Sequence, residues 1–183
     1  MRRARKGHRP PDAVRTKPRA RRERTLVCGY GNPGRSDDGL GPALISRLRT
    51  AARWRARPDI VGTSRLQLNV EDSLAISGYD RVIFVDAARR GPDPFRFRDI
   101  RPAKGWSFST HALPPEAVLA WCAELYGKRP RASVLAVRGH RWVLFEGLSA
   151  GAERNLGRAE AFLARRLGLA PTARGVDRPG QKI

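Results

Sequence analysis

The order of apolar and turn-rich segments predicts an α/β domain: a three-layer sandwich with a mostly parallel, roughly five-stranded twisted sheet, one antiparallel edge strand, and helices on both faces. Three observations carry this. Short β-branched apolar runs alternate with segments of helical periodicity. The runs are nearly continuous in apolar character, as in strands buried on both faces. One segment, FRFRDI, alternates strictly, which marks a half-exposed edge.

Thr25–Tyr30 (TLVCGY) is an apolar run bounded by glycine and reads as a buried strand. Residues 39–49 carry Leu40, Ala43, Leu44 and Leu48 at helical spacing, and Asp37 or Asp38 stands where an N-cap is wanted. Residues 53–58 form a polar break. Residues 59–62, with 65–68, offer a weakly signalled second strand, and residues 71–77 a short helix ended by Gly78. Residues 81–87 (RVIFVDA) are the clearest strand of the chain. After a turn at 91–94 come the edge strand Phe95–Ile100 and a loop at 104–110. A helix over 114–126 has proline in its first turn. A strand at 132–137 and a long amphipathic helix at 149–167, capped by Ser149, complete the order β-α-β-α-β-β-α-β-α. The chain shows no internal repeat.

The length of 183 residues and an apolar share of 40% suit one ordinary core. Residues 25–168 are expected to form that domain, between a disordered basic tail at 1–24 and a flexible C-terminal tail at 169–183. No apolar run approaches the roughly 20 residues that span a bilayer. Cys28 and Cys122 match no zinc or disulfide spacing and read as small buried hydrophobes in a reducing cytoplasm, the expected location. The net charge of +20 invites a nucleic-acid reading, yet 32 of the 37 basic residues are arginine, a bias that GC-rich coding also produces. Residues 1–24 hold 11 basic residues against Asp12 and Glu23, with almost nothing apolar to offset the entropy of ordering. Arg2 and Arg3 are followed by no apolar stretch, so export on a twin-arginine signal is not expected.

Residues 28–41, CGYGNPGRSDDGLG, are the most informative stretch. Gly29, Gly31 and Gly34 spell the G-x-G-x-x-G spacing of dinucleotide sites, but Asp37 and Asp38 place carboxylates where a phosphate would sit. Such a loop suits a cation. Ligands of open α/β sheets bind beyond the carboxyl ends of strands, where Asp38 follows the first strand and Asp86 ends the third. A carboxylate after four apolar residues is poorly solvated without a partner; a helix cap or a salt bridge to Arg89 or Arg90 is the alternative use. Of the three histidines, His8 lies in the tail and His140 between arginines. His111 lies in a loop (FSTHALPPE) of the kind that carries functional groups over a rigid sheet. Asp38, Asp86 and His111 make an N/O/O donor set suited to a borderline divalent metal such as nickel or zinc.

The loop GYGNPGRSDDGLG, the strand VIFVDA, the segment STHALPPE and the closing EGLSAGAERNL, in this order over residues 25–167, resemble the hydrogenase maturation proteases. The resemblance implies a five-stranded α/β sandwich and an endopeptidase that removes the C-terminal propeptide of a nickel-iron hydrogenase large-subunit precursor. It also implies that Asp38, Asp86 and His111 are both the metal-binding and the catalytic residues. Nickel would be supplied by the precursor and read as the signal that insertion is complete. Some family members carry glutamate at the position of Asp38; the shorter side chain here moves the metal by about an ångström or requires the loop to sit closer. Asp37 would orient Asp38 or cap the helix, the cap being favoured.

Three other functions match less well. A peptidyl-tRNA hydrolase-like esterase also begins with a strand and G-x-G-N-P-G, but it follows with a histidine where this chain has Arg35, Ser36 and Asp37. A nucleic-acid-binding protein using the basic tail would lack any reader motif or aromatic platform. A nicotinamide-cofactor domain would need an acidic residue about 20 positions after the glycines, and 50–58 has none.

Overall fold

A computed structural model describes residues 21–103 and 113–169. Strand β1 (Thr25–Tyr30) runs parallel to β2 (Ile60–Arg65) on one side and to β3 (Arg81–Ala88) on the other. Beyond β3 lies β5 (Arg131–Arg138), also parallel, with Asp86 opposite Ala136. The edge strand β4 (Phe95–Ile100) pairs antiparallel with β5, so the sheet order is β2-β1-β3-β5-β4. The predicted mixed sheet and its edge strand are therefore present.

Strand side chains alternate between two cores. Val27, Ile83, Val85, Leu135 and Val137 face one side. There they meet Leu40, Leu44 and Leu48 of α1 (Leu40–Thr50) and Leu156, Ala159 and Leu163 of α5 (Ala150–Arg166). Leu26, Cys28, Val82, Phe84 and Val134 face the other. They meet Ile76 of α3 (Asp72–Ser77) and Val118, Leu119 and Cys122 of α4 (Pro115–Tyr126). Burying a side chain such as Phe84 in this way contributes about 1.5–3 kcal/mol. Ser149 caps α5 as expected, accepting the Ala152 N–H at 3.2 Å.

Three local expectations need adjustment. The polar break holds a short helix, α2 (Ala52–Arg55), because Trp54 turns inward onto the α1 core. The second strand is one segment through Gly62 and Thr63 rather than two short pieces, since β1 supplies partners along its whole length. Neither Asp37 nor Asp38 caps α1. Gly39 occupies the cap position after a 3-10 turn at Ser36–Gly39, and no side chain bonds there. At the ends of the described chain, Arg24 bonds to Asp80 and Leu169 is buried beside α5.

The chain leaves β1 for β2 on one side and returns past β1 to β3 on the other. The strand order thus reverses between β1 and β3, and the place beyond their carboxyl ends is where open α/β sheets form their ligand crevice.

Candidate active site

Both strand-end aspartates belong to that crevice. Leaving β1, the loop folds back tightly: Gly31 has φ +132°, and a Cβ there would lie 2.0 Å from the Asp38 carbonyl oxygen. A Cβ on Gly29 would lie 2.3 Å from the Gly41 carbonyl oxygen, so α1 can abut the sheet only over a glycine. The glycine spacing thus serves close backbone packing instead of phosphate binding. The fold delivers Asp38 over the end of β1, where its carboxylate accepts the Asn32 N–H at 3.1 Å.

Asp86 points to the α3/α4 side of the sheet, since its neighbour Ala87 packs into the opposite core. Its carboxylate accepts its neighbour Ala87 N–H at 2.8 Å and a hydrogen bond from the Tyr30 hydroxyl. Burial, helped by the nearby charge of Asp38, pushes the Asp86 carboxyl up to about 6 against the lowering effect of those bonds. The structure therefore brings Asp38 and Asp86 together. Neither forms an ion pair among the described residues, so the salt bridge to Arg89 or Arg90 is not made; Arg89 stacks on Trp142 instead, 4.4 Å from the ring centre. Arg138, on the Asp86 side of β5, keeps its Nη1 buried without a hydrogen-bond partner. A half-buried pair of carboxylates with no ion-pair partner among the described residues fits a divalent cation.

His111 lies outside the described residues. The first residue described after that segment, Leu113, donates its N–H to the Leu68 carbonyl at 3.0 Å and packs on the α3/α4 core. Three residues on, Glu116 in the first turn of α4 acts electrostatically on Tyr30. Among the described residues, no group of three His, Cys, Asp or Glu side chains is placed to hold a metal ion.

Tyr30 is a member of the site that the sequence reading passed over. Burial first, and then the charge of Asp86, raise its phenol well above the ordinary range, so it is a permanent donor that orients Asp86. Its signal was present: Tyr30 follows Leu26 and Cys28 at period two on one strand face.

Asp37 has a role different from the one its position suggested. Fully buried, its carboxylate accepts the N–H groups of His140 (2.6 Å), Arg141 (2.7 Å) and Ser149 (2.7 Å) and the Ser149 hydroxyl (2.7 Å). Burial opposes ionisation, but these bonds outweigh it and lower the carboxyl below its usual range. Asp37 thus pins the loop after β5 to the loop after β1. The His140 ring lies elsewhere, 3.2 Å from the Asn155 amide nitrogen and 3.4 Å from Asp93. Burial pushes the Cys28 thiol up to about 12 and raises that of Cys122, so neither is a thiolate nucleophile.

The fold is that of the hydrogenase maturation proteases, a class of endopeptidases. Among solved structures, the chain is similar to the [NiFe] hydrogenase maturation protease HycI from Thermococcus kodakarensis KOD1. The two share 26% identity at a TM-score of 0.61, over 80% of this chain and 93% of that one. The hydrogenase-maturating endopeptidase HybD from E. coli shares the fold at 19% identity and TM-score 0.60, over 79% of this chain and 94% of that one. So does a hydrogenase 2 maturation peptidase from a Thaumarchaeota archaeon, at 18% and 0.59, over 81% of this chain and all of that one. No protein-family model and no curated protein matches the chain.

Proposed function

We propose that this protein is an endopeptidase that removes the C-terminal propeptide of a nickel-iron hydrogenase large-subunit precursor after nickel insertion. The observation that carries the reading is the half-buried Asp38–Asp86 pair at the strand-order reversal, held by Asn32 and Tyr30 and without an ion-pair partner among the described residues. The likeness to HycI over four-fifths of the chain supports it.

In this reading nickel belongs to the substrate. The precursor presents it, and Asp38, Asp86 and His111 supply two carboxylate oxygens and an imidazole nitrogen to the same ion. That grip sets one peptide bond beside the acid pair. Water attacks its carbonyl carbon, a carboxylate receives the proton, and the proton passes to the amine as the C–N bond breaks. Among the described residues no helix is long and apolar enough to cross a membrane. Activity in the cytoplasm, where a precursor is loaded with metal, belongs to the proposal.

The test is His111→Ala. The variant is expected to keep the fold and lose propeptide removal from a nickel-loaded precursor, followed by the mass of the product. Full processing by that variant overturns the role of His111.

A further inference from the structure

Nine large apolar side chains are exposed among the described residues, and six of them follow the carboxyl ends of two strands. Leu66 and Val70 follow the carboxyl end of β2, with Leu74 beyond them in α3. Val143, Leu144 and Phe145 follow the carboxyl end of β5. In the sheet, β2 and β5 are the strands that flank β1 and β3. The six residues therefore form two apolar shoulders, one on each side of the crevice holding Asp38 and Asp86.

The shoulder after β5 is rigidly mounted. Phe145 is 91% exposed and stands at φ +59°, a conformation uncommon for a bulky residue. Its N–H donates to the Gly34 carbonyl at 2.9 Å, and the Ser36 hydroxyl donates to the Val143 carbonyl at 2.8 Å. Asp37 binds the same loop at both of its ends. The apolar tip is thus fastened to the very loop that carries Asp38, and its position relative to the acid pair is set before any partner arrives. Two arginines frame it: Arg35 reaches the Trp142 carbonyl and Arg89 stacks on the Trp142 ring, whereas Arg141 is already paired with Glu146 at 2.8 Å.

Three consecutive apolar side chains held in water on a fastened loop are unfavourable for an isolated chain and favourable for a prepaid interface. We propose that the two shoulders are the docking surface for the folded body of the precursor, presenting an apolar patch with an acidic rim, while its tail enters the crevice between them. This rests on the protease reading above. The body is the occupant assigned because the shoulders straddle the crevice, and because the cationic frame calls for acidic groups around an apolar centre.

The experiment uses the full chain and a purified nickel-iron hydrogenase large-subunit precursor encoded in the same genome. Leu144→Ser with Phe145→Ser, and separately Leu66→Ser with Leu74→Ser, are compared with Leu125→Ser and Tyr126→Ser on the C-terminal end of α4. Each shoulder pair is expected to weaken precursor binding about 10-fold or more, with the loss falling on KM, while thermal stability stays close to that of the unmodified protein. The α4 variants are expected to bind as the unmodified protein does. Shoulder variants that bind and cleave at full strength overturn the docking surface and leave the protease reading standing. Failure of the unmodified protein to bind the precursor overturns both. Self-association that the shoulder variants abolish assigns the surface to a second copy of this chain and also overturns the proposal.

Discussion

The two ends of the sheet treat half-buried carboxylates in opposite ways. At the amino end, Asp59 sits before β2 and is held by Arg57 through bonds of 3.0, 3.2 and 2.7 Å, with Arg22 3.8 Å away. Those bonds, and the Arg57 charge, keep its carboxyl below the ordinary range. Nearby, Arg131 pairs with Glu23, and Arg81 and Arg166 line the same end. At the carboxyl end, Asp86 is likewise removed from water, yet it receives a phenol and a backbone N–H in place of a cation, and its carboxyl rises to about 6. A chain with 37 basic residues therefore spends arginine on one acid and withholds it from another. Asp59 is used for stability. Asp86 stays available.

The largest expected effect comes from breaking the second arrangement. Asp86→Asn keeps the shape and the Tyr30 bond but removes the charge; propeptide cleavage is expected to fall by about 10²–10⁴-fold, measured as the initial rate of tail release. The same variant is expected to gain stability at neutral pH, by about 1–3 kcal/mol in denaturant melts, because the folded state no longer holds a desolvated charge. The sign follows from linkage. Asp86 has a folded value of about 6, above its unfolded value, so the penalty is absent in acid, grows as pH rises through the interval from about 4 to 6, and is constant above. Asp59→Asn is the counterpart. It is expected to leave cleavage intact and lose stability.

Asp37→Ala comes next. It leaves three buried N–H groups and one hydroxyl without their acceptor and unpins the two loops, so a loss of about 3–4 kcal/mol is expected in denaturant melts. Because the Asp37 carboxyl is depressed, its contribution is present above about pH 4 and is lost as pH falls further. A smaller effect sharpens the contrast. Cleavage by the unmodified protein is expected to decline several-fold on acidification through about pH 6, as Asp86 takes up a proton, while Tyr30→Phe moves that midpoint upward by removing a bond that favours the charged form. A midpoint unmoved by Tyr30→Phe would separate Tyr30 from the titrating group. Smallest is Arg57→Ala, expected to cost about 1–2 kcal/mol and to leave the rate of cleavage unchanged.

Much of this was readable before any coordinates. The run Val82–Val85 ahead of Asp86 announces a strand with a charge at its end, and the edge strand Phe95–Ile100 alternates because one face packs Phe95 and Phe97 on Phe162, at 4.9 and 5.2 Å, while the arginines face outward. Asp37 was misread as a helix cap because its partners lie more than 100 residues away, and local spacing carries no trace of them. Tyr30 was passed over because a tyrosine ending a strand is ordinary until its neighbour across the sheet is known to be Asp86.

The amino-acid order alone determined the α/β alternation, the strand ends, and which two carboxylates stand at them, because periodicity and burial are written residue by residue along each segment. Only the tertiary structure decided that β1 and β3 are neighbours, that burial with Asp38 nearby raises Asp86, that Asp37 ties one loop to another, and that the apolar residues after β2 and β5 flank the crevice. Those are pairings between distant segments, and the free energy that selects them exists only once the sheet has assembled.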